Sequence, residues 1–140
     1  MGNSQSIPKI NFEDVQTASK HPELYLLINT LPIYEQDCLI LNSIHASQEE
    51  DVMNKHLKFK SSVSIIIYGK HSNDDALYRK YQQLLQLGFS NVYVYLGGLF
   101  EWLLLQDVYG AIDFPTTSQQ LDILKYKPNQ RLHVGLIDYK

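Results

Sequence analysis

The sequence predicts one α/β domain, built on a central parallel β-sheet with helices on both faces. Short apolar runs alternate with segments of helical periodicity, and only a few residues connect them. Residues 63–67 (VSIII) are β-branched and mostly apolar, which is typical of a strand that helices cover on both sides. The chain has 140 residues, 44% of them hydrophobic, which suits a single core. Each strand-to-strand connection must then cross a face of the sheet.

The first half of the chain begins with a polar arm, residues 1–9. Asn11 is a good N-cap, with acidic residues in the first turn after it, and predicts a helix from there to Lys20. The apolar runs 24–30 and 38–41 predict two buried strands.

A second helix follows those two strands. Ser47 and Glu50 have the spacing of a capping box and predict a helix over residues 48–58. The long apolar strand comes directly after it.

A polar loop over residues 69–75 separates that strand from the third helix. Asn73 or Asp74 can cap this helix, and Gly88 supplies its left-handed end.

Residues 91–95 predict another strand, Gly97-Gly98 a tight turn, and residues 99–106 a strongly apolar helix. In this helix only Glu101 and Gln106 are expected to face water. The remaining chain is less regular. Either this tail or another protein must cover the outer side of the helix, and we expect the tail to do so through four apolar side chains: Phe114, Leu121, Ile123 and Leu124. Residues 132–137 are compatible with an extended segment.

The pattern GF-x-NVY-x-x-x-GG-x-x-EW, residues 88–102, resembles the second half of a rhodanese-like domain. The first half matches through the opening helix, through LLINT at 26–30 in place of a Leu-Ile-Asp-Val-Arg strand, through Glu35, and through residues 44–46. The resemblance spans about residues 10–108. It implies a rhodanese-like domain at 10–112, with a C-terminal extension at 113–140 packed on it.

The resemblance also locates the place where active sulfurtransferases of this fold carry a cysteine nucleophile. Here Gly69 occupies it, and Asn29 and Thr30 stand where the family usually has Asp and Arg. The related phosphatases also need an arginine in the loop. The residues of this degenerate active-site loop are Gly69, Lys70, His71, Ser72, Asn73, Asp74 and Asp75. A glycine can form neither a persulfide nor a phosphocysteine, so we expect no catalytic residue and no enzyme activity of the family type.

Composition argues against nucleic acid, metals and cofactors as partners. The net charge of -3 lacks the positive excess that binds nucleic acid. The single cysteine, Cys38, lies in an apolar run and is expected to be a buried core residue. The five histidines show no ligand spacing, so we expect no metal and no cofactor.

The N-terminus, Met1-Gly2-Asn3-Ser4-Gln5-Ser6, fits the pattern for N-myristoylation on Gly2. One acyl chain gives only weak, reversible membrane binding. Neither a signal peptide nor a membrane-spanning run is visible, so we expect a cytoplasmic protein, peripherally attached to a membrane if Gly2 is acylated.

Two main functions follow from these features. The first is a non-catalytic rhodanese-like module that binds another protein or serves as an assembly subunit. The second is a protein that binds a small molecule or anion, or a related enzyme, that uses the loop from Gly69 to Asp75 without a cysteine nucleophile. A sulfur-transfer enzyme that works through Cys38 would require this residue to lie at the loop.

Overall fold

The computed structural model of the protein describes residues 7–59, 62–132 and 134. Within them, the chain forms five strands and four α-helices, which alternate except that β3 follows β2 with no α-helix between them. The strands are β1 (Lys9–Ile10), β2 (Tyr25–Asn29), β3 (Ser43–Ile44), β4 (Ser64–Tyr68) and β5 (Val92–Tyr95). The helices are α1 (Phe12–Lys20), α2 (Glu49–Phe59), α3 (Asp75–Leu87) and α4 (Gly98–Tyr109). Short 3₁₀ helices lie at Ile33–Glu35, Ala46–Gln48 and Ile123–Tyr126.

All five strands are parallel and lie in the order β1-β5-β4-β2-β3. The chain crosses the sheet in one direction from β1 to β2 and returns in the other from β3 through β4 to β5. Because right-handed crossovers in opposite directions lie on opposite faces, α1 packs on one face, and α2 and α3 pack on the other. The predicted α/β architecture with a parallel central sheet is confirmed.

Alternating side chains of β4 supply the two cores. Ile66 and Tyr68 face the side covered by α1 and α4, whereas Ile65 and Ile67 face α2 and α3. All four are at most 2% exposed, which explains why this strand reads as an unbroken apolar run.

The predicted helix ends at three positions are confirmed. Asn11 forms a complete capping box with Asp14, in which each backbone N–H donates to the other side chain at 3.1 Å. Asp74 caps α3, and Gly88 ends it with a φ of +111°. Each position follows from local chemistry that tertiary packing did not override.

The strand predicted at residues 38–41 is wrong. Cys38, Leu39 and Ile40 are buried, but they form no ladder, and Ile40 makes one antiparallel bridge to Thr116. The edge strand is β3, just beyond them. The apolar run is buried because the C-terminal segment covers it, so burial without a strand explains its composition.

Two further boundaries differ from the predictions. Ser47 lies inside a 3₁₀ helix, and its backbone N–H donates to His45 Nδ1 at 3.1 Å, so His45 caps this turn in place of the expected Ser47 box. The predicted arm runs through residue 9, but Lys9 belongs to β1, and Pro8 O accepts a hydrogen bond from Val94 N at 2.9 Å. Residues 1–6, including Gly2, and most of the extended segment expected at 132–137 lie outside the described residues.

The C-terminal segment packs on α4, but only two of the four expected side chains, Phe114 and Ile123, contribute to the core. Phe114 and Tyr126 are buried, and Trp102 Nε1 donates to Pro115 O at 3.0 Å. Gln106, expected to face water, donates to Phe114 O at 2.8 Å. The two leucines expected to pack, Leu121 and Leu124, are 82% and 62% exposed, while Ile123 is half-buried.

This packing predicts a large difference between two truncations in the same segment. Phe114→Ala removes a buried ring that contacts the rings of Phe12 and Trp102, so it should lower the free energy of unfolding by about 3–5 kcal/mol. Leu124→Ala, at an exposed position, should change it by about 0.5 kcal/mol or less. Urea unfolding curves of both variants measure the difference. Equal midpoints would contradict the assignment of Phe114 to the core.

Candidate functional site

The candidate site lies at the carboxyl edge of the sheet, where β2 and β4 end side by side. Asn29 pairs with Tyr68 in the last register position, and Thr30 N donates to Tyr68 O at 2.9 Å. Thr30 and Gly69 are therefore neighbours. This is the edge at which open α/β sheets bind their ligands.

A carboxylate occupies the space inside the loop after β4. As the N-cap of α3, Asp74 accepts a hydrogen bond from Ala76 N through Oδ1 at 3.0 Å. Its second oxygen, Oδ2, accepts from Thr30 Oγ1 at 3.2 Å and from Lys70 N at 3.5 Å. The loop donors thus bind an anion that belongs to the chain itself.

Gly69 is buried and has no room for a side chain. A Cβ placed there would overlap Asp74 Oδ2 and would lie 2.7 Å from Thr30 Oγ1. Asp74 can move away only by giving up its bonds to Thr30 and to the first turn of α3. The glycine and the carboxylate are therefore coupled: one leaves the space that the other fills.

Lys70 points away from the inside of the loop. Its Nζ forms an ion pair with Glu35, at 3.1 Å from Oε1 and 3.2 Å from Oε2. Both side chains are less than one-third exposed. The pair ties the loop to the 3₁₀ helix at Ile33–Glu35 and neutralises the lysine as a binding group for an external anion.

The other predicted loop residues face outward. The His71 ring accepts a hydrogen bond from Asn73 N through Nδ1 at 3.0 Å. His71, Ser72, Asn73 and Asp75 line a shallow polar groove of about 440 Å³, together with Tyr78, Asn129 and Arg131. The structure thus divides the predicted site: Gly69 and Asp74 lie inside, Lys70 is paired, and the remaining four line the groove.

The family's usual Asp and Arg positions contribute a neutral cluster here. Asn29 is 3% exposed and its Oδ1 accepts from Gln36 Nε2 at 2.8 Å and from Leu31 N at 3.1 Å. Its Nδ2 donates to Gln36 Oε1 at 3.0 Å and to Ile44 O at 3.1 Å. Both amides are satisfied without any buried charge.

The sequence predicts only a turn at Gly98, yet this glycine controls the approach of α4 to the loop. Leu99 N donates to Gly69 O at 2.9 Å, and Phe100 N donates to Lys70 O at 2.8 Å. A Cβ on Gly98 would lie 2.7 Å from Gly69 O and 2.9 Å from His71 N. The first amides of α4 are thus occupied by loop carbonyls, and these amides are not free to bind an anion.

One contact explains why the GG-x-x-EW pattern has glycine at 97 and glutamate at 101. Glu101 accepts a hydrogen bond from the Tyr95 hydroxyl, and its carboxylate lies where a Cβ on Gly97 would be. Burial and the Glu101 carboxylate raise the pKa of the Tyr95 phenol well above its usual range, so the hydroxyl remains a donor. The motif therefore stabilises the turn into α4.

The described part of the chain has neither a metal-binding cluster nor a membrane-spanning helix. Within it, no three His, Cys, Asp or Glu side chains lie together as a metal site would require. None of its helices is long and apolar enough to span a membrane.

The close approach at Gly98 predicts a larger loss of stability than its positive φ alone would cause. Gly98 has a φ of +68° and Gly88 a φ of +111°, so alanine is strained at both. At Gly88 the nearest atom to a new Cβ is 4.0 Å away, whereas at Gly98 it is backbone at 2.7 Å. Gly98→Ala should therefore lower the free energy of unfolding by about 1–3 kcal/mol more than Gly88→Ala. Chemical denaturation measures both, and equal losses would contradict the contact.

Comparison with solved structures shows the same fold in three enzymes. The chain is 16% identical to a single-domain sulfurtransferase from Saccharomyces cerevisiae, with a TM-score of 0.54 over 77% of this chain and 98% of that one. A yeast protein tyrosine phosphatase of the rhodanese family is 14% identical, with a TM-score of 0.60 over 86% and 99%. An As-Sb reductase from Leishmania major is 19% identical, with a TM-score of 0.52 over 74% and 82%.

Sequence comparison gives the family directly. No curated protein sequence is significantly similar to the chain. The family model of the rhodanese-like domain, however, matches residues 6–105, which is most of the chain and includes both halves of the sheet. The protein therefore belongs to the rhodanese-like domain family.

Proposed function

We propose that the protein is a non-catalytic rhodanese-like module that acts in protein interaction or as an assembly subunit. The observation that carries this proposal is the Asp74 carboxylate inside the loop, next to Gly69. The family mechanism needs a nucleophile at this place and room for an anionic group in front of it. Here the place has no side chain, and a negative charge fills the room.

Cys38 is a poor substitute for the absent nucleophile. It is fully buried beneath the C-terminal segment, and its Sγ lies 3.4 Å from Ser118 O as a hydrogen-bond donor. Burial raises the pKa of the thiol, so the reactive thiolate is disfavoured at neutral pH. This setting supports a structural role for the cysteine.

A binding role is supported by apolar side chains beside the closed loop. Ile33 and Tyr34 are 59% and 82% exposed, and the Glu35–Lys70 ion pair holds their 3₁₀ helix against the loop. Exposed apolar and aromatic side chains are groups that protein interfaces bury. We propose this edge of the sheet as the interaction face.

The second candidate function is binding of a small molecule or anion, or catalysis without cysteine, in the groove outside the loop. The observation in its favour is the set of converging polar groups there, which includes His71 and Arg131. The neighbouring carboxylate of Asp75 weakens the case for an anion. We rank this function second.

The proposal predicts that the full chain transfers no sulfur from thiosulfate and hydrolyses no phosphate monoester above background. Cys38→Ser should leave this result unchanged. Gly69→Cys should also be inactive, because the Asp74 carboxylate occupies the space that the new thiol needs. Turnover in the parent chain that is also present in the Cys38→Ser variant would contradict the proposal.

A binding measurement separates the two functions. Sulfate and phosphate should not bind the unchanged chain at micromolar concentration in calorimetric titrations, because Asp74 already holds the loop donors. Asp74→Ala is the variant to compare with the unchanged chain in the same titrations. It removes the internal anion and leaves two donors of the loop, Lys70 N and Thr30 Oγ1, free for an added anion. Micromolar binding by the unchanged chain would favour the second function.

We also propose that Gly2 is myristoylated and attaches the module reversibly to membranes, which is compatible with a cytoplasmic location. Support comes from the M-G-x-x-x-S pattern at residues 1–6.

Co-expression with an N-myristoyltransferase should therefore raise the mass of the Met-removed chain by one myristoyl group. Gly2→Ala should abolish the increase in mass, because the modification requires glycine as the N-terminal acceptor residue. Intact-mass spectrometry measures both chains. An unshifted mass of the unchanged chain would refute the acylation.

A further inference from the structure

A small cleft lies between α1 and the amino ends of the central strands. Its volume is about 290 Å³, close to the lower limit of roughly 300 Å³ for small-molecule pockets. Ser64 and Ile66 of β4 belong to its lining, on the side of the strand that faces α1 and α4. The cleft, which we call the amino-edge cleft, is therefore at the opposite end of β4 from the Gly69 loop.

Two tyrosines flank β4 in the amino-edge cleft. Tyr25 on β2 is the register partner of Ser64, and Tyr93 on β5 is the register partner of Ile66. Both tyrosines are half-buried and pack against the core on this side of the sheet. Because Ser64 is much smaller than the aromatic side chain beside it, the surface of the sheet is recessed between the two tyrosines.

The charge at the amino-edge cleft is negative. Asp14 and Thr17 lie one turn apart on α1 and both line the cleft, and Asp14 carries the one formal charge among the described lining residues. Asp14 Oδ2 accepts a hydrogen bond from Asn11 N at 3.1 Å, but a carboxylate has room for several such bonds. Lys9 projects to the other face of the sheet, because Ile10 next to it packs on this one. The cleft therefore attracts a cation and repels an anion.

The uncharged lining indicates which kind of cation fits. A quaternary ammonium ion carries its charge on methyl groups, which can lie against the side chains of Ile10 and Ile66 and against aromatic rings. Rings attract such a cation through their negative faces. A primary ammonium is strongly hydrated and gains little from an ion pair at an exposed site, so it fits less well. The volume of the cleft limits the ligand to a small ion.

We propose that the amino-edge cleft binds a small quaternary ammonium ion of the size of choline. Tyr25 and Tyr93 contact its methyl groups, and Asp14 lies beside its charge. The same ammonium group occurs in free choline and in the phosphocholine headgroup of lipids. The Asp14 carboxylate repels a phosphate, so the free ion is the better ligand. The inference is independent of the proposed interaction role, because the cleft shares no described residue with the degenerate active-site loop.

The test is a titration of the full chain with choline, followed by heteronuclear NMR. Choline should shift the amide signals of Ser64 and Tyr93 saturably, with a Kd of about 1 mM. The control ligand is the neutral isostere of choline, in which a tert-butyl group replaces the trimethylammonium group. It should bind about ten-fold more weakly, because it lacks the charge that the rings and the carboxylate attract. Phosphocholine should also bind more weakly than choline.

Four variants separate the ring from the charge. Tyr93→Leu should weaken choline binding about five-fold, whereas Tyr93→Phe keeps the ring and should bind like the parent. Asp14→Asn should weaken binding about three-fold. Glu13→Gln is its matched control, because it removes a charge from the same turn of α1 at a residue outside the cleft. Thermal melts confirm that the variants fold.

The parent chain alone is enough to overturn the proposal. Equal affinity for choline and its neutral isostere would reduce the cleft to an apolar pocket, and an absence of saturable shifts would remove the site. Shifts confined to residues away from the cleft would place the ligand elsewhere. Equal weakening by Asp14→Asn and Glu13→Gln would refute the role of the Asp14 carboxylate, and tighter binding of phosphocholine would refute the choice of the free ion. These results leave the interaction role untouched, since that role has its own tests at the Gly69 loop.

Discussion

One carboxylate organises the carboxyl edge of the sheet. Asp74 begins α3 by capping it and, through its other oxygen, joins Thr30 after β2 to the loop after β4. A helix cap and an internal anion are usually separate devices, and the cap alone stabilises a helix by about 1 kcal/mol. Here they are one group. Any change that frees the loop donors from the Asp74 carboxylate must therefore also weaken the cap at the start of α3. The occupied loop is in this way coupled to the stability of the fold.

Next to this carboxylate, the end of β2 carries a neutral amide cluster in place of a charged one. Asn29 and Gln36 exchange hydrogen bonds between their amides, and the remaining amide groups reach backbone atoms of the segments around them. Neutral amides lose less hydration energy on burial than an ion pair would, provided that all their groups are satisfied. The cluster joins β2 to the segment before α2 without requiring a ligand to complete it. It is consistent with an edge that is held in one state.

Local chemistry predicted more of this protein than long-range packing did. The strands at the centre of the sheet, the Asn11 cap and the Gly88 stop depend on nearby residues, and the structure has them where the sequence indicates. The sequence predicts a strand at 38–41 because burial and strand composition look alike when the covering segment is some 80 residues away. The loop was identified through its resemblance to a family, but the contact of Asp74 with Thr30 joins residues 44 apart, which no local pattern reveals. The Gly97-Gly98 pair predicts a turn, but glycine is required at 98 because the backbone of the loop after β4 lies against it.

The C-terminal cover has a consequence for how the chain is made. Ribosomes deliver the N-terminal part first, so all five strands are synthesised before the segment that covers one side of the sheet. Cys38 meets Ser118, and Ile40 meets Thr116, only after most of the polypeptide has been synthesised. Contacts so distant in sequence form late and slowly. During that interval the apolar run beneath the cover is open to water, and a nascent or truncated chain presents it to chaperones and to other unfinished chains.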